Sequence, residues 1–415
     1  MNIPELLAPA GNHEKLVTAV HYGADAVYMG LSGFSLRAKA DNFTEEALRQ
    51  AVAYVRSSGK KVYITINIFP HNRDIHLITD HLKLLNEISP DALIISDPGV
   101  FEIATEIATG VPIHVSTQAN ITNYSAARFW EKMGAKRLVL ARELSIEEIK
   151  EIRDHVSLEL ECFVHGSMCI SYSGRCYMSS FLNNRSGNRG ECTNTCRWTY
   201  RLMEESRPGE FFPVYENDRG TYVMSSRDLC MIEHLDKLAD AGVNSFKIEG
   251  RMKGINYVAG VVKTYREAVD SLNERPFKIK DHWMQELSMS SNRGYTTGMF
   301  FGRQDDSGYS HNDNRAYRMS HELVGVVLSV SEDKTFVSLR NNLNKGDKVE
   351  FLSAGLENRT FSVTEMHDEA GQPVDSGRNE NIVSIPSIPG VREHDLIRRP
   401  LGKSKDEPHI PQRLK

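Results

Sequence analysis

The chain has 415 residues, of which 40% are hydrophobic and 25% are charged, a composition typical of globular proteins. Its formal net charge of −5 argues against a surface that is basic throughout, so a nucleic acid would have to meet a local positive patch. No apolar run approaches the roughly 20 residues of a transmembrane helix, and the first residues lack the pattern of an export signal. We therefore expect a cytoplasmic protein with no membrane segment, whose thiols stay reduced.

Short β-branched runs alternate with amphipathic helical stretches over the first two thirds of the chain. Eight runs have the character of buried strands, each followed by a helical pattern or an insertion: residues 5–11, 25–30, 61–69, 91–97, 113–118, 137–142, 158–166 and 243–250. This alternation predicts a parallel sheet. Eight repeats within residues 1–275 have the size of a (β/α)8-type barrel. The predicted fold is therefore an α/β barrel, with an open, doubly wound sheet as the alternative.

The alternation is interrupted between the seventh and eighth predicted strands. Residues 166–242 contain most of the cysteines and a predicted hairpin, and this insertion follows the carboxyl end of a strand, where barrel active sites lie. Beyond the barrel, the Gly- and Ser-rich stretch 276–321 is predicted to be a linker. Residues 322–400 show short strands separated by turn residues, which predicts a small antiparallel β-barrel domain. Residues 401–415 are predicted to form a tail.

Five of the six cysteines lie between residues 162 and 196. Four of them follow the spacing Cys169-x6-Cys176-x15-Cys192-x3-Cys196, and four thiolates suit a 4Fe-4S cluster or a structural zinc ion. Zinc sites usually contain two tight pairs, whereas only the second pair is tight here. The spacing therefore favours an iron–sulfur cluster held by a wrapped loop. A zinc site and scattered structural thiols are the alternatives.

Polar residues at strand ends describe the mouth of the predicted barrel. Lys247, Glu249 and Arg251 alternate along one strand, so they share a face and are predicted to point inward. Either they form an internal ion-pair network or they meet a polar substrate, and the second interpretation makes Lys247 and Glu249 catalytic. His165 ends the strand before the cysteines and is a candidate proton donor, with a structural role as the alternative. Other strand ends offer candidate substrate-binding residues: Arg142, Gln118 and Asn120.

Several long motifs run through the chain. In the first half they are "ELLAPAG", "GADAVYMG", "VSTQANITN" and "ARELS"; around the cysteines they are "ELECFVHGSMCISYSGRCYMSS", "GECTNTCRW", "MSSRDL" and "FKIEGR". Together these motifs resemble peptidase family U32. The resemblance covers nearly the whole chain and is greatest to the branch that acts on tRNA. It implies an enzyme that converts the wobble uridine to 5-hydroxyuridine without molecular oxygen. It also implies a 4Fe-4S cluster as cofactor and prephenate as co-substrate.

The resemblance further implies ligands and partners. Cys169, Cys176, Cys192 and Cys196 would hold the cluster. Cys230 is the alternative fourth ligand, because a sister branch that hydroxylates ubiquinone places that ligand farther downstream. The implied partners are tRNA and proteins that assemble iron–sulfur clusters or donate electrons. The alternatives are a hydroxylase of a quinone precursor or of ribosomal RNA, and a peptidase, for which the sequence offers no familiar hydrolase motif.

The implied substrates suit residues near the predicted mouth. Prephenate carries two carboxylates, and arginine forks bind carboxylates with two hydrogen bonds, so Arg251 and Arg142 are the predicted contacts. A uridine that is extruded into the site needs an aromatic platform. Trp198 beside Arg197 is the candidate, with Tyr172 also near the cysteines. Packing of the Trp198 ring in the interior is the alternative.

Overall fold

The computed structural model describes residues 3–31, 43–169, 171–197, 201–202, 212–213, 227–302 and 319–401. Its helices are α1 His13–His21, α2 Glu45–Ser57, α3 Ile75–Ile88, α4 Pro98–Ile107, α5 Tyr124–Lys132, α6 Ile146–His155, α7 Met178–Asn183, α8 Leu235–Asp240, α9 Ile255–Asp270 and α10 Asp281–Met289. The strands of the first 302 residues are β1 Glu5–Pro9, β2 Ala26–Gly30, β3 Lys61–Ile66, β4 Ala92–Ile95, β5 Ile113–Val115, β6 Arg137–Val139, β7 Glu159–Ser167, β8 Arg201–Leu202, β9 Phe212–Pro213, β10 Asp228–Cys230, β11 Ser245–Ile248 and β12 Tyr295–Thr296. Those of the C-terminal part are β13 His321–Val330, β14 Lys334–Leu339, β15 Leu343–Asn344, β16 Lys348–Leu352, β17 Arg359–Ser362, β18 Ser376–Gly377, β19 Ile382–Pro386 and β20 Leu396–Pro400.

Eight parallel strands of the described chain close into a barrel. Strands β1 to β7 pair in chain order, and β11 closes the ring by pairing with both β7 and β1. Strands of such a barrel are covered by helices outside and filled by side chains inside, so they are apolar throughout; β2, with the sequence AVYMG, is buried along its whole length. All eight predicted strands are present in the predicted order. The barrel prediction is confirmed, and the open-sheet alternative is wrong.

The helices begin at residues that the sequence marks. Thr44 caps α2 by accepting a hydrogen bond from the Ala47 amide. Ser145 and Glu148 form a reciprocal capping box at the start of α6. Such caps satisfy amides that the first helical turn leaves without a partner. Among the helices of the described ranges, none is both long and apolar enough to cross a bilayer.

The cysteine-rich insertion leaves the barrel at the end of β7 and returns at β10. Strand β10 pairs antiparallel with the last residues of β7, and β12 adds parallel to β10. The predicted hairpin joined residues 200–205 to residues 221–229. In the structure β8 pairs with β9 instead, and most of the predicted hairpin lies outside the described residues.

The stretch predicted as a linker, 276–321, contains packed structure. Helix α10 lies against α9 with Trp283 and Leu287 fully buried, and β12 extends the barrel sheet. These two apolar residues are four apart, so they lie on one face of the helix and hold it to the barrel. The linker prediction therefore fails for α10 and β12, and residues 303–318 lie outside the described ranges.

The C-terminal part is an antiparallel sheet of six strands in the order β17-β16-β20-β13-β14-β19, beside the pair β15–β18. Its strands surround an apolar core of their own, which includes Val337, Leu339 and Phe351. The prediction of a small antiparallel β domain after the barrel is confirmed. Residues 402–415, most of the predicted tail, lie outside the described ranges.

Buried polar contacts join the β domain to the barrel. The Tyr22 hydroxyl of the barrel donates to the Leu352 carbonyl and accepts from the Leu396 amide. The Arg398 guanidinium is fully buried and forks onto the Glu286 carboxylate of α10. Buried charges are tolerated when they are paired and hydrogen-bonded in this way. The two domains therefore share a continuous interior.

Candidate active site

A cavity of about 710 Å³ opens at the carboxyl end of the barrel, between the strand ends and the insertion. Its wall combines barrel residues such as Tyr28, Lys247 and Arg251 with residues of the insertion. Cavities of this size hold small organic ligands, and the carboxyl end is where barrel enzymes place their active sites. The cavity is therefore the candidate active site.

All four cysteines of the predicted ligand set line this cavity: Cys169, Cys176, Cys192 and Cys196. The side chains of Cys169 and Cys176 hydrogen-bond to each other. This contact lowers the pKa of Cys176 to about 5, helped by hydrogen bonds from Ser171 and from amides at the start of α7. Cys192 in turn accepts a hydrogen bond from the Asn194 amide at 3.4 Å. Four thiols of the insertion thus line the same cavity.

The four thiols are donors of the kind that an iron–sulfur cluster needs, and all four line the cavity. Within the described ranges, no three His, Cys, Asp or Glu side chains form a group that could hold a metal ion. The cluster therefore stays a proposal, which rests on the donor chemistry and the shared cavity.

The other two cysteines lie away from the cavity. Cys230 is fully buried, and its sulfur lies 3.7 Å from the Tyr265 hydroxyl. Cys162 is buried within β7. Burial raises the pKa of Cys230 to about 12 and raises the pKa of Cys162 as well, so both thiols stay protonated. Of the two candidates for a fourth cluster ligand, Cys196 lines the cavity and Cys230 does not.

The segment that carries three of the four cysteines, residues 171–197, is fixed to the barrel rim by an ion pair. The Arg189 guanidinium forks onto the Asp74 carboxylate with N–O distances of 2.6 and 3.0 Å. These hydrogen bonds lower the pKa of Asp74 to about 2. Arg189 also donates to the Phe69 carbonyl. Two-point pairs of this kind fix orientation as well as distance, so the segment is held in place over the cavity.

Two further contacts fix the start of the same segment. The Ser173 amide donates to the Glu143 carboxylate at 2.8 Å. Gly174 packs directly on the backbone of Gln118, where a Cβ would come within 2.5 Å of the carbonyl oxygen. The φ of Gly174 is +74°, a region that favours glycine. Only glycine suits this close approach, and it brings the segment against Gln118, a predicted substrate-binding residue that lines the cavity.

The three charged residues that alternate around the end of β11 all line the cavity: Lys247 lies in the strand, and Glu249 and Arg251 follow its last residue. Lys247 is buried and pairs with the Glu161 carboxylate at 2.8 Å. Arg251 is also buried and donates to the Thr65 hydroxyl at 3.2 Å. The inward orientation is therefore observed, and part of the internal ion-pair network exists as well. The catalytic roles of Lys247 and Glu249 stay predictions.

Glu161 extends the Lys247 pair into a chain of buried charges through the barrel interior. It is fully buried and also accepts a hydrogen bond from Arg137 at 3.0 Å, and Arg137 pairs with Glu5 at 2.6 Å. Burial alone would raise the pKa of Glu161, but the two cations outweigh it and lower that pKa. For Lys247 burial dominates and lowers the pKa despite the carboxylate. The sequence analysis missed Glu161, although a glutamate inside an apolar strand was a usable signal.

His165 does not line the cavity. Its ring is buried among three others: Tyr257, Tyr265 and Tyr295. Burial lowers its pKa to about 3. The strand register explains this position: Phe163 pairs with Lys247, but the next residue of β11, Ile248, pairs with His165. Val164 is left without a partner in this register, and the irregularity turns His165 to the outer side of the strand. The proton-donor role of His165 stays a prediction that its position does not support.

The remaining predicted residues divide between the cavity and other places. Arg142 lines the cavity, stacks over the Phe163 ring at 4.0 Å and donates to the Ser167 carbonyl. Its Nε is buried and has no hydrogen-bond partner among the described residues. Asn120 is not part of the described cavity wall. The Arg197 side chain and all of Trp198 lie outside the described part of the chain.

Comparison with known proteins identifies relatives over both domains. The chain matches peptidase family U32 over residues 11–309 and the C-terminal domain of that family over residues 319–398. It is 41% identical to tRNA hydroxylation protein P1 of Bacillus subtilis (strain 168), over 91% of this chain and 90% of the relative. It is 34% identical to tRNA hydroxylation protein P of Escherichia coli (strain K12), over 98% of this chain and 99% of the relative. An uncharacterized protease of Methanocaldococcus jannaschii is 40% identical to it, over 84% of this chain and 86% of the relative.

Proposed function

The chain belongs to peptidase family U32, and from this premise we propose that it hydroxylates the wobble uridine of tRNA to 5-hydroxyuridine. The relatives named tRNA hydroxylation proteins support the choice of tRNA. The observation that carries the proposal is the gathering of four cysteines around one cavity at the carboxyl end of the barrel. Hydroxylation at an unactivated ring carbon needs a redox centre or an activated adduct, and four thiols could hold the first of these.

The proposed cofactor is a 4Fe-4S cluster held by Cys169, Cys176, Cys192 and Cys196. Their shared cavity supports this set, and the burial of Cys230 away from the cavity supports Cys196 as the fourth ligand. When bound, the cluster would supply a centre for electron transfer. The anchors of residues 171–197 on the barrel rim hold these ligands beside the space that a substrate would occupy.

The proposed co-substrate is prephenate. Conversion of the uracil C5–H bond to C5–OH adds one oxygen atom and removes two electrons, so the reaction requires an oxygen donor and a two-electron acceptor besides the tRNA. Prephenate is a dicarboxylate, and the guanidinium groups of Arg142 and Arg251 line the cavity, where each suits a carboxylate. The Nε of Arg142 is buried and has no hydrogen-bond partner in the described ranges. Lys247 and Glu249 line the same space and are the candidates for proton transfer.

The direct test is turnover by anaerobically reconstituted protein. Unmodified tRNA is incubated with the protein and prephenate, and its nucleosides are quantified by mass spectrometry; 5-hydroxyuridine should form only when prephenate is present. Cys176→Ala and Cys196→Ala should lose the iron and the product. The matched control Cys230→Ala should keep its iron. A colourless protein with one zinc ion, or iron lost from Cys230→Ala and kept by Cys196→Ala, would contradict the proposed ligand set.

A peptidase activity is the second candidate, because a relative with 40% identity is named a protease. Incubation of the same preparation with casein and with denatured collagen separates the two. Release of peptides together with unchanged tRNA would favour the peptidase and overturn the proposed hydroxylation. We expect intact protein substrates and modified tRNA.

A further inference from the structure

The cysteine-rich segment presents aromatic rings to solvent beside the cavity. Tyr172, Tyr177 and Phe181 are 61%, 71% and 77% exposed. Tyr172 lines the cavity, and Tyr177 stands in sequence between two residues that also line it, Cys176 and Met178. A single exposed apolar side chain is ordinary. Three large exposed rings within ten residues form a patch of the kind that marks a binding surface.

Helix α7 orients two of these rings. The Phe181 amide donates to the Tyr177 carbonyl at 3.0 Å, so the two residues are one helical turn apart and their side chains are neighbours. The opposite side of the helix is fixed, because Ser179 is buried and its hydroxyl contacts the Cys192 sulfur at 3.8 Å. One side of α7 is therefore tied to the cysteines, and the other side carries the two rings.

The segment that carries these rings has an excess of basic residues, in contrast to the net charge of −5 for the whole chain. Residues 171–197 contain four arginines and a single acidic residue, Glu191. Arg175 and Arg185 are exposed on either side of α7, and neither guanidinium forms an ion pair with any residue that the structure describes. Aromatic rings beside unpaired arginines are the combination with which proteins bind single-stranded nucleic acids.

We propose that this surface binds the unpaired nucleotides that flank the modified uridine in the RNA loop. We call it the α7 platform: Tyr172, Arg175, Tyr177, Phe181 and Arg185. The inference rests on the proposed function and deepens it, because it assigns contacts outside the cavity to the neighbours of the target base. Bases stack on the rings and phosphates meet the arginines, which directs the extruded uridine into the adjoining cavity.

The test measures binding, which needs no turnover. Dissociation constants for unmodified tRNA and for a loop oligonucleotide are measured at several salt concentrations. Tyr177→Ala and Phe181→Ala should each weaken binding by about 5- to 100-fold with little change in the salt dependence. Tyr177→Phe and Phe181→Trp, which keep a ring, should bind like the wild type. The logarithm of the association constant falls as the logarithm of the salt concentration rises. Arg175→Ala and Arg185→Ala should each make this fall less steep, by about 0.7 in the slope.

The matched control is Phe129→Ala, because Phe129 is 52% exposed on α5 and is not part of the platform. It should leave RNA binding unchanged. If both alanine variants on α7 bind both RNAs as the wild type does, the α7 platform is refuted, even where 5-hydroxyuridine is formed. If binding falls in the alanine variants and returns with the ring-preserving ones, the platform stands, even where no hydroxylation is found and the proposed function fails.

Discussion

The barrel and the cysteine-rich segment bury opposite kinds of side chain. The layer between the barrel strands and the helices around them is packed with leucine, isoleucine and valine. Within residues 171–197 the buried side chains are small and polar, namely Ser173, Ser179 and Thr195, whereas the large rings face solvent. Apolar burial therefore stabilises the barrel. The segment has no such core and depends on its anchors and on what it binds.

This difference predicts two kinds of defect. A change among the buried charges of the barrel should unfold the whole domain, because nothing nearby can replace a lost partner. A change at an anchor of the segment should loosen the cysteines and leave the barrel folded. The following experiments test this separation, and they are ordered from the largest expected effect to the smallest.

The largest effect is expected for Glu161→Ala. This variant leaves Lys247 and Arg137 buried without the carboxylate between them, which should lower the free energy of unfolding by about 3–5 kcal/mol. The control is Glu159→Ala, since Glu159 pairs with the same Arg137 but its side chain is 53% exposed. The control should cost less than about 1 kcal/mol. Urea denaturation measures the free energy of unfolding of both variants. Equal losses of stability would show that the burial of Glu161 does not explain the effect of its removal.

Acid should destabilise the barrel through His165. Burial lowers the pKa of its imidazole to about 3, and the nearby Asp228 carboxylate offsets only part of that effect. The unfolded chain takes up the proton below about pH 6.5, whereas the folded chain does so only near pH 3. The free energy of unfolding therefore decreases by about 1.4 kcal/mol for each unit by which the pH is lowered between these two pKa values. His165→Asn should reduce the total slope between pH 6.5 and 4.5 by this amount, because other histidines whose pKa burial lowers, such as His114, keep contributing to it. An unchanged slope in urea denaturation would contradict the assignment.

The smallest effect on global stability, with the clearest effect on the segment, is expected for Asp74→Ala. Loss of the two hydrogen bonds from Arg189 to the Asp74 carboxylate should make residues 171–197 detach from the barrel more often. Because a protease cuts the detached segment, cleavage there should become about 10-fold faster or more. Iron should also be lost sooner. The unfolding midpoint of the barrel should change little. Asp80→Ala removes an exposed pair with Lys83 and serves as the control.

If Asp74→Ala unfolds the barrel as strongly as Glu161→Ala does, the segment is part of the barrel's folding unit. The contrast between the two regions would then fail. Unchanged cleavage and iron retention would instead show that other anchors, such as the contact between Ser173 and Glu143, are sufficient.

The barrel was predictable because its pattern is local. Each strand is a short apolar run with a helical pattern or an insertion after it, and the structure contains all eight. The inward orientation of Lys247 and its two neighbours followed from alternation within one strand. The four cysteines could be grouped from spacing and family resemblance, and all four line the cavity.

What could not be predicted depends on contacts between distant strands. The partner of Lys247 is Glu161, 86 residues away, and the pair exists because β11 closes the barrel beside β7. His165 lies outside the cavity, contrary to the prediction, because the pairing of β7 with β11 contains a register shift. Alternation within a single strand does not reveal such a shift. Helix α10 was missed because its polar and serine residues resemble a linker, and the apolar pair of Trp283 and Leu287 was the overlooked signal.

The junction of Arg398 with Glu286 has a consequence for exchanging parts between relatives. A transplanted C-terminal domain would bring a buried cation into an acceptor barrel, which must then offer a carboxylate on α10 and a hydroxyl at the place of Tyr22. Chimeras that ignore these two positions would leave the buried guanidinium with Glu350 of its own domain and without its partner across the boundary. Recombination therefore has to move matched residues from both sides of the domain boundary.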